Sequence, residues 1–154
     1  MNEAGVLPQF YHGSSAALWT GSEMIVLGLV FDAVSQSDVS AGAAYDPATD
    51  TWRKIATGGS VGSGWYNASS IVWTGTDMIV WGDFDFGPYI PLSKGARYNP
   101  ASDSWTAMPM ASSPEERVFH SAVWTGNEMV VWGGIKDYQT PNPVKIKTGG
   151  VYRP

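Results

Sequence analysis

Short apolar stretches separated by turn-forming residues recur along the chain, and three of them are near-copies. "SSAALWTGSEMIVLGL" from residue 14, "SSIVWTGTDMIVWGD" from residue 69 and "HSAVWTGNEMVVWGG" at 120–134 each run small apolar residues into WTG and then into a second apolar stretch. The TG turn is so short that only an antiparallel hairpin fits it. First strands are therefore predicted at 16–19, 70–73 and 121–124, small and apolar as suits inner strands where sheets crowd together. Second strands follow at 23–28, 77–82 and 128–133. A longer, variable loop leads to a third strand, "GAAYD" or "GARYN", and then to a "P-A-[ST]-D" turn. In that turn Pro47 or Pro100 fixes φ, and Asp50 or Asp103 is placed to bond local backbone amides. A fourth strand starts at Trp52 or Trp105.

The spacing is regular. Trp19, Trp73 and Trp124 are 54 and 51 residues apart, and Tyr45, Tyr98 and Tyr152 are 53 and 54 apart. Two independent markers moving in step at a period of about 50 residues identify a repeat array. Residues 1–154 read as one all-β segment, with repeats at about 11–55, 65–108 and 117–154.

"R-x-x-H-S-A" at Arg117 to Ala122, "VVWGG" at 130–134, Tyr98, and Trp105 after the "YNPASDSW" turn together resemble the kelch repeat of β-propellers. The resemblance spans nearly the whole chain; it departs where the paired glycine becomes Gly28-Leu29 and Gly82-Asp83. It implies three four-stranded propeller blades, the third incomplete, amounting to half of a six-bladed assembly. On this reading Trp52 and Trp105 pack between neighbouring blades. Tyr45, Tyr98 and Tyr152 are packing residues whose hydroxyls find partners.

Closed propellers need about 4 to 8 blades, so three leave two apolar flanks open. Trp52 precedes Trp73 by 21 residues and Trp105 precedes Trp124 by 19, which puts the fourth-strand Trp ahead of Trp19 about two positions before Met1. The third copy stops about five residues before its own fourth-strand Trp. Two expectations follow: a homodimer completing a six-bladed ring with twofold symmetry, or a fragment of a longer propeller.

Composition narrows the partners. Hydrophobic residues make up 44%, charged 15% and aromatic 13% of the chain, as in globular proteins. Eight Trp and 18 Gly suit short strands joined by tight turns. A net charge of -5 disfavours nucleic acid and anionic lipid as partners. The absence of Cys removes disulfides and thiol chemistry, and with it the Tyr-Cys cofactor of a kelch-like copper radical oxidase. No apolar run approaches the roughly 18 to 20 residues of a membrane span. "MNEAGVLPQF" lacks the features of a secretory signal, so the chain is expected to be cytoplasmic, or secreted with a leader outside this sequence.

Function on such a scaffold belongs to the loops at one end. "LVFDAVSQSDVSA", "DFDFGPYIPLSK" and "IKDYQTPNPVKIKT" diverge while the strands stay alike. Aligned on WTG, His12, Tyr66 and Arg117 are equivalent, and Ser15, Ser69 and His120 form a second set. His12, Tyr66, Arg117 and His120 are thus the candidate ligand-binding residues, able to clamp a sugar or a carboxylate if they converge. The kelch resemblance offers Arg117 and His120 another role, inter-blade hydrogen bonding. No G-x-S-x-G elbow accompanies the two histidines. Asp83 and Asp85 are too few for a calcium site, so no metal and no cofactor is expected. The leading expectation is a binding module that presents loops to a protein or glycan. The alternative is a carbohydrate-active enzyme of the sialic-acid-mutarotase or lyase kind, drawing on Glu115, Glu116, Arg117 and His120.

Overall fold

The computed structural model describes residues 8, 10, 16–56, 70–84, 91–109, 113–138 and 140–154. Among these every regular element is a strand. The first sheet runs β1 (Ala16–Trp19), β2 (Met24–Asp32), β3 (Ser37–Asp46) and β4 (Thr51–Lys54), in chain order and antiparallel throughout. The second repeats it with β5 (Ser70–Trp73), β6 (Met78–Phe84), β7 (Pro91–Asn99) and β8 (Ser104–Ala107). After β9 (Ser121–Trp124) and β10 (Met129–Trp132), a two-stranded hairpin of β11 (Ile135–Lys136) and β12 (Val144–Lys145) intervenes. β13 (Gly149–Tyr152) then completes a third sheet ordered β13-β10-β9.

The WTG hairpins form as predicted, and their chemistry repeats. Gly21, Gly75 and Gly126 hold φ of 107°, 103° and 112°, a region that side chains oppose. The preceding threonine closes each turn: Thr20 Oγ1 accepts from the Glu23 amide at 2.9 Å, Thr74 from Asp77 at 2.9 Å and Thr125 from Glu128 at 3.3 Å.

The second strands end differently in each repeat, and their glycines explain why. Gly133 and Gly134 both take positive φ, and β10 stops just before them. Gly82 alone does so in β6, where a bulge between Trp81 and Asp83 shifts the register before pairing resumes. Gly28-Leu29 bends nowhere. β2 and β3 stay paired from Met24 and Tyr45 out to Asp32 and Ser37, so most of the segment expected as a loop is a long hairpin. Asp32 closes its tip by accepting from the Val34 and Ser35 amides at 3.2 and 3.1 Å.

The turn before the fourth strand also differs from expectation. Local amides are capped by the first residue, not the last: Asp46 accepts from Ala48, and Asn99 accepts from Ala101 and Ser102. Asp50 and Asp103 instead take left-handed backbone (φ 51° and 47°) and accept from the tyrosines, Tyr45 at 2.8 Å and Tyr98 at 2.6 Å.

The sheets stack through their faces, with β1 against β5 and β5 against β9. Between the first two lie Ile25, Leu27, Ala44 and Ile55 on one side and Met78, Val80 and Tyr98 on the other, with Trp73 and Trp105 at the margin. Between the second and third lie Val72, Ile79, Trp81 and Met108 against Met129, Val131 and Tyr152. Close approach dictates Gly42, where a Cβ would come within 2.6 Å of Ile55.

A polar cross-link ties the first two sheets. Arg53 donates to the Glu23 carboxylate at 3.1 and 2.8 Å within the first sheet, and to the Tyr98 hydroxyl at 3.3 Å in the second. Asp103 reaches back to accept from the Ala56 amide at 2.8 Å, and Trp105 Nε1 donates to the Ala56 carbonyl at 2.7 Å. Burial, then the hydrogen bond to Asp103, pushes the Tyr98 phenol up to about 12. Tyr98→Phe is expected to cost about 1.5 kcal/mol, because the buried ring keeps its packing while Asp103 and Arg53 lose a shared partner. Urea unfolding checks this; an unchanged midpoint would mean that water replaces the hydroxyl without loss.

Candidate functional site

Ser121, at the start of β9, pairs with Trp132 at the end of β10, so the lead-in to the inner strand and the 133–148 loop share one end of the sheet. Val118 joins them through a two-way backbone bridge with Ile135, at 3.0 and 2.9 Å. Gly134 makes the contact possible, since a Cβ there would sit 2.7 Å from the Val118 carbonyl oxygen.

Arg117 is 2% exposed. Its Nε donates to the Glu115 carbonyl at 3.0 Å, and Nη1 donates to the carbonyls of Gly133 and Thr148 at 3.2 and 2.9 Å. Nη2 lies 4.0 Å from the Glu115 carboxylate, which also pairs with Lys136 at 2.7 Å on the surface. The guanidinium thus fastens three backbone segments: the lead-in to β9, the start of the loop and its end.

His120 is buried beside it, edge-on to Trp81 with ring centroids 4.6 Å apart. Trp81 Nε1 donates to Ser113 Oγ at 2.7 Å. Desolvation first, then the Arg117 charge, drives the imidazole down to about 4, against a weak upward pull from the backbone of Arg117 and Trp81. Neither ring nitrogen makes a hydrogen bond among the described residues. The ring is therefore neutral at pH 7 and packs as an aromatic.

Of the four candidate residues, Arg117 and His120 come together in one cluster. His12 and Tyr66 lie outside the described residues, as do Ser15, Ser69 and Asp85. Among the described residues no group of three or more His, Asp or Glu is arranged to hold a metal ion. With Arg117 committed to carbonyls and His120 to Trp81, this pair orders the loop end.

A neighbouring feature escaped the sequence pattern. Phe119, between the two buried residues, is 51% exposed and takes left-handed backbone at φ 55°. Its ring meets Tyr138 of the loop edge-on, with centroids 4.8 Å apart. A left-handed phenylalanine is strained, and such strain persists only where surrounding structure enforces it. Buried Val118 and His120 on either side provide that enforcement, turning an aromatic ring outward at the loop end. Compared with known proteins, the chain matches no family model and no curated protein.

Proposed function

We propose that this chain is an interaction module built of kelch-like propeller blades, which presents its loop end to a protein or glycan ligand. The observation that carries the reading is the outward Phe119–Tyr138 pair. It exposes aromatic surface that the core does not use, on backbone strained to hold it there. Aromatic faces bind the apolar faces of sugars and anchor protein interfaces alike. The blade reading is supported by the serial contact of β1, β5 and β9, by the recurring Tyr–Asp turn, and by loops that diverge while the hairpins repeat.

Arg117 and His120 act in this reading as supports for the pair. A glycan array screened with wild type and with Phe119→Ala/Tyr138→Ala tests it. Sugar binding that falls at least tenfold in the variant supports the module, and binding that ignores the variant sinks the site. A blank array removes the glycan half. Accelerated anomer exchange of a bound sugar, followed by NMR, would favour the enzyme alternative.

A further inference from the structure

We propose that the outer face of the first sheet and the outer face of the third are the two halves of one head-to-tail interface, occupied by a second copy of this chain. This goes beyond the loop-binding reading and does not depend on it.

The stack has a direction. Each sheet presents one kind of face to the sheet before it and another kind to the sheet after it. The receiving face is spelled out on the second sheet, where Trp73, Met78, Tyr98 and Trp105 stand opposite one another across four strands. Met78 and Tyr98 there are 0% exposed, covered by the first sheet. The third sheet places Trp124, Met129 and Tyr152 in the same register and buries Met129 and Tyr152 against the second. On the first sheet Trp19, Met24, Tyr45 and Trp52 occupy this register again, identical at every position. Among the described residues no sheet covers them; Trp19 is 53% exposed, and Met24, Tyr45 and Trp52 are half-buried.

The face is also pre-formed. Tyr45 donates to Asp50 and lies 5.0 Å from Trp52, as Tyr98 donates to Asp103 and lies 5.0 Å from Trp105. The tyrosine contacts of a covered face are thus already in place, which lowers the cost of association.

The inserting face has its own register. Leu18, Ile25 and Leu27 supply it on the first sheet, and Val72, Ile79 and Trp81 on the second. Val123, Val130 and Trp132 hold those places on the third. Trp81 is 0% exposed, whereas its counterpart Trp132 is 60% exposed. The described sheets therefore leave a receiving face uncovered on one side and an inserting face unplaced on the other. The fit between such faces is already realised twice within the chain. A second copy satisfies both ends at once when the two contacts are related by a twofold axis.

Sedimentation of the purified chain at micromolar concentration tests this. The expected species has twice the 16.6 kDa chain mass. Trp19→Arg and Trp132→Arg, both at exposed positions, are each expected to shift the chain to the single-copy mass. Mixing the two variants restores a two-copy species, because the intact third-sheet face of one meets the intact first-sheet face of the other. Far-ultraviolet circular dichroism verifies that each variant keeps its sheets; if one does not, Ala17→Arg or Val123→Arg repeats that arm. A wild type that sediments as one copy overturns the proposal. So do single variants that stay paired, or a mixture that stays apart.

Discussion

Arg117→Ala is expected to lower the unfolding free energy by about 3 kcal/mol, a large fraction of what a domain of this size holds in reserve. The guanidinium is almost wholly buried and donates to three carbonyls from separate parts of the chain. Removing it leaves the carbonyls of Glu115, Gly133 and Thr148 without that donor in a place where a cavity replaces the side chain. Lysine is no substitute: one ammonium on a flexible stem does not span carbonyls that a planar fork reaches together, so Arg117→Lys should recover less than half of the loss. Urea unfolding of the three proteins at one concentration measures this, with circular dichroism and tryptophan fluorescence as coincident probes. A loss below about 1 kcal/mol would contradict the structural assignment and return Arg117 to the pool of groups free to meet a ligand.

That contrast shows how far the sequence reaches. The WTG hairpins were legible because a two-residue turn with glycine admits one geometry, and the tyrosine and tryptophan markers because a repeated packing problem receives a repeated answer. Trp105 does lie at the margin between two sheets, as the resemblance led one to expect of it. What stayed hidden depended on contacts remote in sequence. Nothing near Asp103 shows that its carboxylate will take the amide of Ala56, 47 residues earlier, and leave the local turn to Asn99. The extension of β2 and β3 follows from Leu29, a buried position in a stretch whose polar residues otherwise read as loop. Phe119 was silent for another reason: a phenylalanine beside Val118 and just before an apolar strand reads as core, and only its left-handed backbone and its exposure reveal that it turns outward.

The imidazole of His120 makes stability depend on acidity in a window that opens well above that of the carboxylates. Its folded pKa is depressed to about 4 from an ordinary 6.5, so between these values the unfolded chain binds a proton that the native state refuses. Stability attributable to this group is fully present above about pH 7, falls as pH drops through the window, and levels off below pH 4 once both states are protonated. Carrying the shift through gives a loss of roughly 3 kcal/mol from pH 7 to pH 4. Asp103 works at lower pH. The Ala56 amide and then the Tyr98 hydroxyl hold its carboxyl below the usual 3.8, so its contribution persists until the solution is more acid than that. His120→Phe separates the two, since a phenyl ring retains the edge-on contact with Trp81 and cannot take up the proton. Urea unfolding of both proteins from about pH 7.5 to 4.5 should show wild type losing stability at up to about 1.4 kcal/mol per pH unit and the variant losing distinctly less. His12 is common to both proteins, so the difference between the curves reports His120 alone. Parallel curves would mean that the ring accepts its proton without penalty, against the burial and the neighbouring arginine charge that hold it neutral.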